Sequence, residues 1–95
     1  MRAKIKAKAR HILVSKIKRA KALLLELERG ADFATLAKEH STCPSGKDGG
    51  HLGQFKPGEM VKAFDQVVFK ESLHKVHGPI QTEFGFHLIE ITERG

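Results

Sequence analysis

The stretch Ser41–Phe55, S-T-C-P-S-G-K-D-G-G-H-L-G-Q-F, limits what this chain can fold into more than any other segment. It holds four of the nine glycines, one of the three prolines and the only cysteine, so no regular helix or strand runs through it. Helical spacing dominates before it and mixed spacing follows it. The chain is expected to be an α+β domain whose two halves meet at this stretch.

Before the stretch, Lys4–Val14 alternates with period two. As a strand it sets Lys4, Lys6, Lys8 and Arg10 on a solvated face and Ile5, Ala7, Ala9, His11 and Leu13 on an inward one. Its first residues, 1–8, are expected to be frayed or extended. Ile17, Ala20, Leu23, Leu24 and Leu27 then recur at helical spacing between Lys16 and Arg29, and Gly30 offers a stop. Asp32 is placed to cap a second helix that buries Phe33, Leu36 and Ala37 and ends near His40.

The end of the stretch, Leu52–Phe55, reads as a short strand, and Pro57-Gly58 after it as a turn. A third helix over Glu59–Phe69 aligns Met60, Phe64, Val67 and Val68. Glu71–His77 reads as irregular, Ile80–Thr82 as a strand, and Glu83-Phe84-Gly85 as the hairpin connection to a closing strand, Phe86–Thr92. With 95 residues there is material for one core only, so residues 1–95 are expected to form a single domain.

Charge and cysteine narrow the function classes. Residues 1–25 carry nine Lys/Arg and no acid, whereas residues 26–95 carry eight Lys/Arg against eleven Asp/Glu. The basic end suits a weak anionic partner, but Trp and Tyr are absent and no aromatic lies among those cations to stack on a base. A lone Cys43 excludes an internal disulfide and points to a reducing, cytoplasmic setting. No run approaches the roughly 18 apolar residues of a membrane span, and Ile12-Leu13-Val14 is too short for a secretory core segment.

Several side chains are candidates for chemistry. His11 and His87 each occupy an inward strand position just before an apolar run, and neighbouring first and last strands bring the two rings together. A single inward histidine is more often a satisfied core residue. Cys43 has three readings: buried filler, nucleophile, or polar lining of a pocket. Met60 and Phe64 with Leu52 are either core or a shallow apolar cup for a small ring. Cys43, His51 and His74-x-x-His77 lack the spacing of a structural zinc site, so no metal is expected.

Taken together, five motifs resemble the parvulins, small peptidyl-prolyl cis/trans isomerases, over Ala9–Thr92. They are Arg10-His-Ile-Leu-Val14, Gly30-Ala-Asp-Phe-Ala34, the C-P-S-G-K-x-G-G-x-L-G core of Ser41–Phe55, Gly58-x-Met-Val-x-Ala-Phe-Asp65 and Thr82-x-Phe-Gly-x-His87. The chain is similar to the stand-alone bacterial parvulins in its Cys43-Pro44-Ser45-Gly46 run. The resemblance implies a small, mainly antiparallel four-stranded sheet surrounded by about four helices, as in parvulin and FKBP-like folds. It implies catalytic roles for His11, Cys43, Thr82 and His87. Leu52, Met60 and Phe64 would hold a proline ring, with Phe84 closing the rim.

The activity so implied is isomerisation of X-Pro bonds in peptides and unfolded proteins, assisting folding, by a monomer with no cofactor and no membrane contact. Phosphate-directed relatives carry a longer arginine-rich loop where Ser15-Lys16-Ile17-Lys18-Arg19 runs straight into a helix, so no strong phosphoserine requirement is expected. His51 stands where related sequences commonly have a small polar or acidic residue. The rival readings are a non-catalytic peptide-binding chaperone module and a basic nucleic-acid adaptor.

Overall fold

The computed structural model describes residues 5–95. In chain order the elements are β1 (Ala7–Val14), α1 (Ile17–Glu28), α2 (Phe33–His40), a 3-10 turn (Pro44–Asp48), β2 (His51–Phe55), α3 (Lys62–Lys70), β3 (Val76–Thr82) and β4 (Gly85–Arg94). The four strands form one antiparallel sheet in the order β2-β1-β4-β3. The expected α+β fold and sheet are present. Among the described residues, the expected count of about four helices is three α-helices and the 3-10 turn, because Pro44 and four glycines keep Ser41–Phe55 from holding a longer helix.

The sheet has a core on each side. Ile12, Val14 and Leu88 pack with Ala20, Leu23, Phe33, Leu36 and Ala37 under α1 and α2. On the other side Ala7, Ala9, Ile89 and Ile91 pack with Phe55, Phe64 and Val68 under α3. Strand β1 is therefore central rather than half-solvated: its alternation feeds one core through Ile12 and Val14 and the other through Ala7 and Ala9. Its cations meet acids on β4, since Lys8 lies opposite Glu93 and Arg10 opposite Glu90, with an ion pair in each case. Arg10 also stacks over the Phe33 ring, 4.5 Å from its centre.

Element ends follow local chemistry. Gly30, at φ +99°, closes α1 with two hydrogen bonds, Ala31 N–H to the Glu26 carbonyl and Gly30 N–H to the Leu27 carbonyl. The Asp32 carboxylate accepts from Thr35 N–H and so caps α2 as expected. Three boundaries differ from expectation by three residues or more. The strand starts at Ala7, leaving Ile5 49% exposed, and Lys4 lies outside the described residues. Helix α3 starts at Lys62, because Gly58 at φ +91° and an extended Val61 delay it, so Met60 precedes the helix. Strand β3 starts at Val76, taking in part of the segment expected to be irregular.

Candidate active site

Strand pairing builds the floor of a cleft. β1 and β4 are antiparallel neighbours with His87 opposite Leu13 and His11 opposite Ile89, so the two imidazoles sit diagonally on one face. Their Nδ1 atoms are 3.0 Å apart and both residues are buried. The Nε2 of His87 shares a 2.7 Å hydrogen bond with the Thr82 hydroxyl, which also accepts from Phe84 N–H. Phe64 stands edge-on to both rings, 5.5 Å from each centre.

Burial sets the charge of this pair. It pushes the His11 pKa from 6.5 to about 4, helped by repulsion from the His87 ring, and burial also lowers that of His87. Both rings are therefore neutral at neutral pH, and only one Nδ1 carries the shared proton. If Thr82 donates to His87, then His87 donates to His11 and the last N–H of the chain is at His11 Nε2. Reversing each bond puts the free hydrogen on Thr82 instead. In either direction His11 Nε2, buried without a partner, is the open end of the network.

One wall comes from Ser41–Phe55, and it is bonded edgewise to β1. Beyond Arg10, where β2 stops pairing, His11 N–H donates to the Gly50 carbonyl and Leu13 N–H to the Ser41 hydroxyl. Thr42 N–H in turn donates to the Leu13 carbonyl. The approach is close: a Cβ on Gly50, whose φ is +89°, would collide with the His11 carbonyl oxygen. Cys43 is thereby held beside the floor. Its sulfur accepts from the Ser45 hydroxyl at 3.2 Å.

The cleft has a volume of about 440 Å³ and is lined by His11, Leu13, Thr42, Cys43, Pro44, Leu52, Met60, Val61, Phe64, Phe84 and His87. Every residue given a catalytic or ring-holding role from the sequence is here except Thr82, which lies one hydrogen bond behind His87. Phe84 is 62% exposed at the rim. Leu13, Thr42, Pro44 and Val61 were not singled out for the site; Leu13 shares the inward face of His11, and that alternation was a signal for it. The structure leaves His51 outside the lining, exposed on β2 opposite Arg10. Among the described residues, Cys43, His51, His74 and His77 do not assemble into a metal-binding group.

Comparison with known proteins settles the lineage. Residues 2–95 match the family model of the PPIC-type PPIase domain. The chain belongs to the parvulin family of peptidyl-prolyl isomerases. Among parvulin relatives, the foldase protein PrsA of Geobacillus kaustophilus is 44% identical over 92 residues, covering 96% of this chain and 33% of that protein. The chain thus spans about a third of the length of the curated relatives it matches. The crystal structure of the peptidylprolyl isomerase PrsA from Bacillus anthracis superposes with a TM-score of 0.93 at 36% identity, over 97% of this chain and 43% of that one. The parvulin of Nitrosopumilus maritimus matches end to end, with a TM-score of 0.84 at 41% identity over 98% of this chain and 100% of that one.

Proposed function

We propose that this parvulin domain catalyses cis/trans isomerisation of X-Pro bonds in peptides and unfolded protein segments and so assists folding, without requiring a phosphorylated residue before proline. The observation that carries this is the apolar cleft whose floor is a neutral, hydrogen-bonded histidine pair. Rotation about a prolyl amide meets a barrier of about 20 kcal/mol because resonance gives the C–N bond double-bond character. No bond breaks, and each tenfold of rate needs about 1.4 kcal/mol less barrier.

The planar amide is more charge-separated than the twisted one, so a site that removes water disfavours the planar form relative to the transition state. Leu52, Met60 and Phe64 are the ring-gripping residues in this mechanism, with Phe84 at the rim. The His11–His87–Thr82 network keeps the floor polar but uncharged. Cys43 contributes polarity rather than a covalent bond: a nucleophilic thiol needs a base in hydrogen-bond reach, and the partner of this sulfur is the Ser45 hydroxyl.

A protease-coupled or NMR exchange assay on an X-Pro tetrapeptide tests the proposal. Turnover is expected; binding of the peptide without faster exchange would favour the chaperone-module reading instead. The basic-adaptor reading is weakened by the pairing of Lys8 and Arg10 with Glu93 and Glu90. A cytoplasmic setting for a monomer is also proposed, supported by the free thiol of Cys43 in the cleft wall, and fractionation of cells expressing the natural protein checks it.

A further inference from the structure

We propose that Asp65 is a positioning residue that holds the proline-gripping wall of the cleft against α3. The turn Lys56–Glu59 lies between β2 and α3, and Met60 and Val61, two lining residues, connect it to the helix. Packing does not fix this turn at its apex: a Cβ built on Gly58 meets nothing within 4 Å. The bonds between Lys56 and Glu59 are local, with Glu59 N–H donating to the Lys56 carbonyl and Lys56 N–H to the Glu59 carboxylate. They shape the turn without anchoring it.

The anchor is the Asp65 carboxylate. Its Oδ2 accepts from Gly58 N–H at 2.8 Å across seven residues, while Asp65 sits in the first turn of α3 with its own N–H on the Val61 carbonyl. The span between the two bonds contains Met60 and Val61. Asp65 Oδ1 is buried with no partner, so the carboxylate is kept in place despite one oxygen that forgoes water. Phe64, next in the chain, packs on the histidine rings, which makes the helix a rigid base for the wall. Asp65 itself touches no substrate.

On the isomerase reading above, the wall grips the ring in ground and transition states alike, so loosening it raises KM and leaves kcat in place. Asp65→Ala is expected to raise KM about five- to tenfold with kcat within about twofold. Asp65→Asn, whose amide oxygen can still accept from Gly58, is expected to stay within about threefold of the parent. In a Met60→Ala background, Asp65→Ala should add less than about twofold, because it acts through that wall.

The folded fraction of each variant is measured by circular dichroism. An unchanged KM in folded Asp65→Ala, equal losses in kcat, or full additivity with Met60→Ala would overturn the proposal. If Asp65→Ala does not fold, Asp65→Ser replaces it, its hydroxyl being too short to reach Gly58; failure of both to fold assigns Asp65 to the fold as a whole and also overturns it. If the parent binds peptide without turnover, the isomerase reading fails, and the peptide Kd then reports on the same wall in place of KM.

Discussion

At the scale of single residues, the proposed mechanism rests on two histidines that burial keeps neutral. Because His11 titrates near 4 when folded and near 6.5 when unfolded, the unfolded chain binds more protons between those values. Its contribution to stability is complete above about pH 6.5 and is lost as pH falls through the folded value, a loss of about 3 kcal/mol. Denaturant melts at pH 7 and pH 4.5 should show this as a lower midpoint, reduced in a His11→Phe variant. Cys43→Asp is expected to keep most of the activity, since polarity at 43 is what the wall needs. A trapped acyl-enzyme would contradict that.

At the scale of elements, the wall depends on backbone meeting backbone. Gly50→Ala puts a methyl into the His11 carbonyl at a positive φ, and it should cost at least about 2 kcal/mol of stability, read from urea midpoints. Asp32→Ala, which removes the α2 cap, should lower the same midpoint by less than Gly50→Ala does. These two positions also show what the sequence made legible. The Asp32 cap follows from a local rule, and so does the inward face carrying His11 and Leu13. The Gly50 contact was not legible in that way: glycines in Ser41–Phe55 announce a turning backbone, but the strand edge it bonds to depends on β1 standing between β2 and β4. The late start of α3 was hidden for the same reason, since Met60 keeps helical spacing with Phe64 while Gly58 is bonded back to Asp65.

At the scale of the whole molecule, a sheet covered on both faces explains how the described residues hold the candidate site without a disulfide. α1 and α2 stabilise one face, leaving the other for α3 and the cleft. Two of the cations in residues 1–25, Lys8 and Arg10, are paired with acids of β4, so retention on DNA or anionic vesicles should be weak and should fall as salt rises. The pH dependence of kcat/KM on an X-Pro peptide tests the central claim most directly. A neutral histidine floor predicts a profile that is flat from about pH 8 to 6.5 and falls as pH drops toward 4, where His11 protonates. A rate that instead keeps climbing with pH across that range would contradict this account.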